Sequence, residues 1–318
     1  MDSIRELSAQ RVLVRGATGF LGGALAEGLL GDCARLRLFC RNADALDPGL
    51  RGNADVEVVV GDALDARAVE SSLLGVDLVI DCVGATLPAI RPDELFPEVQ
   101  HSLASLAILL DAMAGPPRRR LVFPSSGGAI YGSGRLAAMT EESPTAPEGA
   151  YGLGKLLAEE MIRFRGRRSE ADFLILRASN VFGRPRRRAL PQGVCDIFLD
   201  RAARGEAIEL WGDGSQVRDF LFVDDFVQAV RALLASPASD EVVHVSTGVG
   251  SSLHEVVAAV ESAVGTAVKV QPSGPCYPGV DRSVLANQKL RALTGWAPRY
   301  SLTSGVAEAA RRRGLDPG

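Results

Sequence analysis

The sequence predicts an α/β fold built around a doubly wound parallel sheet. In the first half of the 318-residue chain, six short apolar runs alternate with segments of helical spacing. Runs that are apolar throughout are typical of strands buried on both faces. Alternation of such strands with helices builds a parallel sheet that is covered on both sides. The six predicted strands are residues 11–14, 36–40, 56–60, 77–83, 120–124 and 173–177.

The second half of the chain has a different character. Residues 183–193 are rich in Pro and Arg and predict a loop, whereas residues 218–235 predict a strand that runs into a helix. We therefore predict two domains, a sheet domain of residues 1–180 and a smaller α/β domain of residues 181–318. Segments of about 218–246 are expected to return to the first domain.

The composition is that of a soluble globular protein. Apolar residues make up 47% and charged residues 23% of the chain, and the formal charge is −4. This balance argues against a nucleic-acid or anionic-membrane partner, and short arginine runs such as 118–120 are interpreted as solvated faces. No apolar run reaches the length of about 18 residues that a membrane helix needs, and the N-terminal residues lack a leader pattern. We expect a soluble, cytoplasmic protein.

The cysteines and histidines form no metal-binding pattern. The five cysteines are odd in number and widely scattered, and no pair has the spacing of a zinc site or of a redox dithiol. The three histidines, His101, His244 and His254, lie far apart in the sequence. We therefore expect no metal site and a reducing environment.

A glycine-rich turn follows the first predicted strand. Gly16, Gly19 and Gly22 lie between this strand and the first helix. A tight turn into a helix N-terminus presents free N–H groups and a positive dipole end, which suit the pyrophosphate of a dinucleotide. The spacing alone is weak evidence, but its place between strand and helix predicts dinucleotide binding. Three further residues of the turn are included in this predicted site: Thr18, Phe20 and Leu21.

The end of the second strand predicts which dinucleotide is accepted. There Arg41 stands where an acidic residue would bind the ribose 2′-hydroxyl of NAD. A guanidinium can bind a 2′-phosphate, so NADP is predicted to be at least tolerated; the alternative is that Arg41 stacks on the adenine. Asp62, after the third strand, is placed to accept from the adenine amino group. Ala63 and Val83 complete the predicted cofactor site.

Tyr151 and Lys155 lie four residues apart at the start of a predicted helix, so both face the same side. A phenol with a pKa of about 10 is a poor base at neutral pH. A neighbouring ammonium and an oxidised nicotinamide both favour the phenolate and lower that pKa.

Ser125 and Ser126 follow the fifth predicted strand. They either belong to a functional site or form an ordinary turn, since Ser is common in turns.

Seven motifs, in their order along the chain, resemble those of the extended short-chain dehydrogenase/reductase family, specifically its nucleotide-sugar epimerases and related enzymes. The motifs are GATGFLG, GDALD, SSGGAIYG, YGLGK, LRASNVFG, GDGSQVRDFLFVDDF and TGWAPRYSLTSGV. The resemblance covers nearly the whole chain and implies a Rossmann-type sheet with a smaller C-terminal substrate-binding domain. It also implies NAD or NADP as cofactor, a nucleoside-diphosphate sugar as partner, and a homodimer formed through the helices after strands four and five.

The resemblance implies roles for individual residues. In this family the Tyr moves a proton, the Lys holds the nicotinamide ribose, and a Ser or Thr after the fifth strand bonds the sugar; Tyr151 and Lys155 match. The position where the family commonly has that hydroxyl is Gly127 in this sequence. The nearest hydroxyl belongs to Ser126, which we predict to be catalytic, with Ser125 as a second substrate contact.

Two departures and three substrate contacts also follow from the resemblance. His101 stands where the family often has Asn, and residues 82–84 read CVG instead of HLA. Asn180, Arg218 and, more weakly, Arg282 are expected to bind the diphosphate of the substrate, since the guanidinium fork suits two phosphate oxygens. The alternative for Arg218 is an ion pair with Asp219 or Asp224.

The resemblance favours a nucleotide-sugar 4-epimerase, which oxidises the sugar at C4 transiently by hydride transfer to bound NAD(P), with Tyr151 as acid and base. A nucleotide-sugar 4-ketoreductase dependent on NAD(P)H is the alternative, to which Arg41 lends support. A 4,6-dehydratase needs an additional acid pair where this chain has Gly127 and Gly128, so dehydration is disfavoured. A third hypothesis is that the protein is a non-catalytic regulator that binds NAD(P).

Overall fold

The computed structural model describes residues 6–84, 98–133, 138–168, 171–184, 193–210, 212–272 and 280–315. Its main sheet has seven parallel strands in the order β10-β6-β5-β4-β1-β2-β3. These strands are β1 (Arg11–Arg15), β2 (Arg35–Cys40), β3 (Val56–Val60), β4 (Leu78–Asp81), β5 (Arg119–Ser126), β6 (Ala171–Ala178) and β10 (Glu241–Val245). The predicted doubly wound parallel sheet is confirmed.

Each central strand is buried on both faces. In β1, Val12 and Val14 belong to one hydrophobic cluster, whereas Leu13 between them belongs to another. Because successive side chains of a strand point to opposite faces, the sheet separates two cores and needs helices on both sides. The helices of the first half are α1 (Phe20–Leu29), α2 (Pro48–Arg51), α3 (Ala66–Ser72), α4 (Ala104–Ala112), α5 (Gly127–Ile130) and α6 (Ala150–Arg167).

The second half contributes short strands and five helices to the described structure. Strand β9 (Val217–Phe222) pairs with β7 (Asn180–Phe182) and β13 (Arg282–Ser283) in parallel and with β11 (Gly250–Ser252) in antiparallel fashion. A separate parallel pair joins β8 (Ile208–Leu210) and β12 (Val270–Pro272). The helices are α7 (Val194–Ala203), α8 (Val223–Leu234), α9 (Leu253–Val264), α10 (Gln288–Thr294) and α11 (Leu302–Arg311).

Helix α8 and strand β10 lie against the sheet of the first half. Strand β10 pairs with β6, and Val243 aligns with Leu176. Helix α8 packs on α1 so closely that a Cβ at Gly28 would lie 2.2 Å from Val227 Cγ1. The division into domains at residue 180 stays a prediction.

The strand order reverses between β1 and β4, which is where parallel α/β sheets open a crevice at their carboxyl edge. The strand predicted over residues 77–83 ends there at Asp81, because Asp81 Oδ1 accepts a hydrogen bond from Val83 N and turns the chain. A π-helical segment, Glu98–Leu103, then leads into α4. The predicted loop of residues 183–193, which includes the arginines at 186–188, lies mostly outside the described residues.

Candidate active site

A cavity of about 330 Å³ opens at the carboxyl edge of the sheet. It is bounded by the start of α1, the ends of β4 and β5, the first turns of α6, and the junction of β6 and β7. The predicted site residues that line it are Gly19, Phe20, Leu21, Gly22, Val83, Ser125, Ser126, Tyr151, Lys155 and Asn180. The other predicted site residues lie outside its described lining: Gly16, Thr18, Arg41, Asp62, Ala63, Arg218 and Arg282.

The glycine turn brings backbone to the cavity and keeps side chains away from it. Gly16 has φ of +71°, and a Cβ there would lie 2.7 Å from the carbonyl oxygen of Cys82. Helix α1 begins at Phe20 with Gly19 as its N-cap, and no side chain caps its first N–H groups. Since these groups have no helical partners, the turn can accept an anionic group such as a pyrophosphate. Thr18 is exposed beside it.

Two predicted cofactor residues lie at the ends of neighbouring strands. Arg41 is exposed directly after β2, and Asp62 is exposed shortly after β3, whose Val60 aligns with Cys40. Asp62 Oδ1 accepts a hydrogen bond of 2.9 Å from Leu64 N, which shapes the turn and leaves Oδ2 for another donor. Ala63 is half-buried. Arg41 and Asp62 therefore lie at the carboxyl ends of β2 and β3, outside the described lining of the cavity.

Tyr151 and Lys155 occupy the first two turns of α6, as the sequence predicts. Lys155 Nζ donates to the carbonyl oxygen of Pro124 at 2.9 Å and lies 4.7 Å from the ring centroid of Phe123. The same ammonium is 5.9 Å from the ring centroid of Tyr151. Within the described residues the Tyr151 hydroxyl forms no hydrogen bond. The ammonium is therefore held in place beside a phenol that can contact a ligand.

The two serines after β5 have different environments. Ser125 is buried, and its Oγ donates to Glu159 Oε1 at 2.6 Å. Ser126 is half-buried, stands at the N-cap of α5 and makes no side-chain capping bond. A Cβ at Gly127 would lie 2.3 Å from Leu285 Cδ1, so a hydroxyl side chain at that position requires Leu285 to move. Of the two serine hydroxyls, that of Ser126 is therefore the one that forms no hydrogen bond with a described residue.

Glu159 and Arg177 form a buried ion pair behind Ser125 that the sequence analysis missed. Arg177 Nη2 donates to Glu159 Oε2 at 2.7 Å, and its Nε donates to Oε1 at 3.1 Å. Both side chains are almost completely buried. The signal was available: Glu159 lies four residues after Lys155 on the same face of a helix, and Arg177 ends an otherwise apolar run.

A second buried pair lies below the glycine turn and was also missed. Arg15 Nη1 is 3.3 Å from Asp81 Oδ2, and its Nη2 donates to Ser105 Oγ at 2.9 Å. Arg15 is fully buried, whereas Asp81 lines the cavity. Because these residues end the aligned strands β1 and β4, the pair ties together the two edges of the crevice.

The predicted phosphate contacts are held by backbone carbonyls. Asn180 Nδ2 donates to the carbonyl oxygen of Asp219 at 3.1 Å, and Arg218 Nη1 donates to the carbonyl oxygens of Val217 at 2.9 Å and Asp281 at 3.3 Å. Arg282 aligns with Val217, so both arginines lie on adjacent strands.

Asp219, which the sequence analysis considered only as an ion-pair partner of Arg218, binds a different part of the chain. Its buried carboxylate accepts hydrogen bonds from Thr247 N at 3.0 Å, from Thr247 Oγ1 at 2.8 Å and from Gly248 N at 2.9 Å. Burial raises the pKa of Asp219, against these donors. The carboxylate thus fastens the β10–β11 turn to the strand that carries Arg218. Asp224, the other aspartate considered as a partner for Arg218, pairs with Arg312 at 2.6 Å.

The reactivity of Cys82 is suppressed by its surroundings. Burial raises the pKa of this thiol to about 12, with the Asp81 carboxylate acting in the same direction.

Among the described residues, no group of three or more His, Cys, Asp or Glu side chains could hold a metal ion. In that same part of the chain, no helix combines the length and the apolar character needed to cross a membrane.

The chain matches known proteins along most of its length. A family model described as the NAD dependent epimerase/dehydratase family matches residues 12–247. The UDP-glucose 4-epimerase of Mycolicibacterium smegmatis is 28% identical over 94% of this chain and 96% of its own. The dTDP-4-dehydro-6-deoxyglucose reductase of Escherichia coli is 26% identical over 59% of each chain.

A solved structure agrees with the sequence relatives. The crystal structure of the Thermus thermophilus UDP-glucose 4-epimerase in complex with NAD superposes with a TM-score of 0.85 at 28% identity, covering 96% of this chain and 99% of the other. The resemblance predicted from the seven motifs is confirmed, and with it the prediction of an NAD-dependent enzyme. The chain belongs to the NAD-dependent epimerase/dehydratase family.

Proposed function

We propose that the protein is a nucleotide-sugar 4-epimerase. The observation that carries this proposal is that Tyr151, Lys155 and Ser126 line the same cavity as residues 19–22 of the glycine turn. A bound nicotinamide supplies the reversible hydride acceptor that oxidation at sugar C4 requires. The Tyr151 phenolate oxygen accepts the proton of the sugar 4-hydroxyl and, as the hydroxyl, returns it to the same sugar oxygen after the sugar has turned.

Lys155 and Ser126 support that proton transfer. The Lys155 ammonium, fixed by the Pro124 carbonyl, stabilises the Tyr151 phenolate that accepts the proton. Its remaining N–H groups can hold the nicotinamide ribose. The Ser126 hydroxyl donates to the sugar oxygen, which gains charge as the proton leaves. Ser125 cannot take this role without giving up its bond to Glu159.

The cofactor wall, which we define as residues 16–22 with Cys82 and Val83, fits the proposed cofactor. At Gly16 any side chain would collide with the Cys82 carbonyl and fill the space above the turn, so the glycine leaves room for the cofactor. The uncapped N–H groups of α1 suit the pyrophosphate. Asp62 and Ala63 are proposed to contact the adenine, and Arg41 the adenosine ribose.

The substrate wall, which we define as Asn180, Arg218 and Asp219, is proposed to bind the diphosphate of the sugar nucleotide. Arg218 and Asn180 supply a charged and a neutral donor. The Asp219 carbonyl accepts from Asn180, and the Asp219 carboxylate fastens the β10–β11 turn to the strand that carries Arg218. Arg282 on the adjacent strand adds a second guanidinium. The diphosphate is then bound away from the reacting carbon, which leaves the sugar ring free to turn.

The second candidate is a nucleotide-sugar 4-ketoreductase. Two observations favour it: Arg41 is exposed at the position that selects NADP, and one relative is the dTDP-4-dehydro-6-deoxyglucose reductase. A reductase performs only the return half of the epimerase reaction, with the same Tyr151. It needs NAD(P)H to enter and leave in every turnover, whereas an epimerase retains its cofactor.

We also propose a homodimer that forms through α4 and α6. Helix α6 exposes Leu157 at 43% and Phe164 at 52%, seven residues apart on one face. A Leu157→Glu, Phe164→Glu variant is expected to run as a monomer in size-exclusion chromatography with light scattering. Leu74→Glu, at a still more exposed leucine outside these helices, is the control and keeps the dimer. A dimer in both variants contradicts this interface.

The reaction is tested by proton NMR on a panel of UDP- and dTDP-hexoses. We expect purified protein to convert one member to an equilibrium mixture of C4 epimers with no cofactor added to the buffer. Oxidation of NADPH in stoichiometric amounts with a 4-keto sugar identifies the reductase instead. Absence of both reactions leaves the non-catalytic regulator.

A further inference from the structure

A chain of buried polar groups extends the Glu159–Arg177 pair to the far edge of the sheet. Arg177 Nη1 lies 2.7 Å from the Tyr131 hydroxyl, which lies 2.5 Å from His244 Nε2. The other ring nitrogen, Nδ1, lies 3.0 Å from the carbonyl oxygen of Ala286. Arg177, Tyr131 and His244 are each 2% exposed or less, so no solvent completes these contacts.

The ends of this chain determine the direction of every hydrogen bond. The Arg177 guanidinium can only donate, so the Tyr131 oxygen accepts from it. The Ala286 carbonyl can only accept, so His244 Nδ1 carries a proton. The single Tyr131 proton then points to Nε2, which must be unprotonated. His244 is thereby a neutral imidazole in its Nδ1–H tautomer.

We propose that His244 is a positioning residue, whose neutral Nδ1–H form ends a series of hydrogen bonds that all run in one direction. This series keeps the Arg177 guanidinium on the Glu159 carboxylate. Glu159 in turn holds Ser125 and the turn of α6 that carries Tyr151 and Lys155. This inference rests on the proposed function only for the role of Tyr151 and Lys155. Glu159 lies one turn after Lys155, and it accepts from Ser125 at the end of β5. The chain therefore connects the strand end and the helix that together carry the proposed catalytic groups.

Protonation of His244 is incompatible with this arrangement. A proton on Nε2 would leave the Tyr131 oxygen facing two donors, Arg177 and His244, with no acceptor for its own proton. It would also place a second positive charge beside the Arg177 guanidinium. Burial lowers the pKa of His244, which keeps the imidazole neutral at physiological pH, and burial raises the pKa of Tyr131 to about 12.

Charged groups on the neighbouring elements partly oppose this effect. Glu141 Oε2 lies 3.9 Å from Nδ1, and Oε1 of the same residue accepts from His244 N at 2.8 Å. Glu142 also favours the charged imidazole, whereas Arg177 disfavours it. On α10, which packs against β10, Lys289 is paired with Glu241 at 2.7 Å. Burial is the largest of these influences, so the folded protein binds this proton less readily than the unfolded chain.

The tautomer can be measured directly in the protein without substrate. In long-range ¹H–¹⁵N correlation spectra of histidine-labelled protein at pH 7.5, we expect His244 in the Nδ1–H form. The exposed His101 and His254 are removed by His101→Gln and His254→Gln, which leaves His244 as the only signal and does not disturb the core. An Nε2–H imidazole, or one that titrates near pH 6.5 like a free histidine, overturns the proposal.

The consequence for activity is tested by the pH profile of kcat. Below the His244 pKa, wild-type kcat is expected to fall by about tenfold per pH unit. His244→Asn keeps one acceptor and one donor but cannot gain a proton, so the part of the acid limb that His244 causes is expected to disappear and only that of Tyr151 to remain. Tyr131→Phe breaks the chain one link earlier and lowers kcat at every pH. Identical acid limbs in the wild type and in His244→Asn contradict the proposal.

Failure of this proposal and failure of the proposed function give different results. If no nucleotide sugar is converted, the epimerase and reductase assignments fail. The tautomer of His244 still shows whether its imidazole accepts the hydrogen bond from Tyr131. If turnover is normal and the imidazole is in the Nε2–H form, the positioning role fails and the epimerase assignment stands.

Discussion

The cofactor wall and the substrate wall hold their groups by different means. The cofactor wall consists of backbone: a glycine at φ of +71° and the uncapped N–H groups of a helix that begins four residues later. The substrate wall consists of side chains. Those of Asn180 and Arg218 donate to backbone carbonyls, and the buried Asp219 carboxylate accepts from Thr247, 28 residues later in the chain. The first wall depends on local chain geometry, and the second depends on the complete tertiary structure.

The proton-transfer pair between the walls is expected to show the largest effect. Tyr151→Phe removes the only proposed acid and base, so kcat is expected to fall by about 10²- to 10⁴-fold. Bound cofactor and melting temperature should stay unchanged, because the ring remains. Tyr300→Phe, at a tyrosine that packs on Phe222 away from the cavity, is the control and keeps wild-type kcat. Unchanged kcat in Tyr151→Phe contradicts the assignment.

Arg218→Gln tests the substrate wall. The loss of a charge-assisted hydrogen bond of about 1.5–3 kcal/mol predicts a KM that rises roughly 10- to 100-fold, with little change in kcat. Steady-state kinetics at several substrate concentrations measures this split. Arg204→Gln removes an exposed arginine that pairs with Glu206 and should leave both constants unchanged. A fall in kcat at constant KM would move Arg218 from substrate binding to the chemical step.

Gly16→Ala tests the cofactor wall, and Gly31→Ala is its matched control. Both glycines have positive φ, but a Cβ at Gly31 meets no atom within 4 Å, whereas one at Gly16 meets the Cys82 carbonyl. Gly31→Ala is expected to cost about 1 kcal/mol of unfolding free energy from the backbone alone. Gly16→Ala should cost more and reduce NAD affinity about tenfold or more, measured by calorimetry. Equal effects of the two variants would show that close approach at Gly16 is unimportant.

The serines should separate stability from turnover. Ser126→Ala is expected to lower kcat about tenfold with little change in melting temperature, because its hydroxyl has no partner in the described structure. Ser125→Ala removes a donor from the buried Glu159, so it should lower the unfolding free energy by about 1–2 kcal/mol. Thermal denaturation and kcat on both variants make the comparison. The reverse pattern would assign the substrate contact to Ser125.

The fold and the backbone features of the site follow from local sequence. Continuous apolar runs predict the strands, and a glycine turn between a strand and a helix predicts the approach of backbone to a dinucleotide. Tyr151 and Lys155 are predictable because a spacing of four on a helix has one geometric meaning. These inferences need only residues that are close in the chain.

The buried networks are not predictable in this way. His244 looks isolated in the sequence, yet it contacts Tyr131, 113 residues earlier. Asp219 stands next to Arg218, but its carboxylate binds Thr247 and Gly248 across a turn. Such partners are brought together by strand order, which a single sequence specifies only through the whole fold. For the same reason the choice between Ser125 and Ser126 depended on Glu159.

The central claim is that hydrogen leaves and returns at sugar C4 without leaving the protein. It is tested most directly by converting a nucleotide sugar that carries deuterium at C4, with no cofactor added and with the product analysed by NMR and mass spectrometry. The C4 epimer that forms is expected to retain the deuterium in full. Loss of deuterium to water or to exchangeable NAD(P)H in the medium would contradict it.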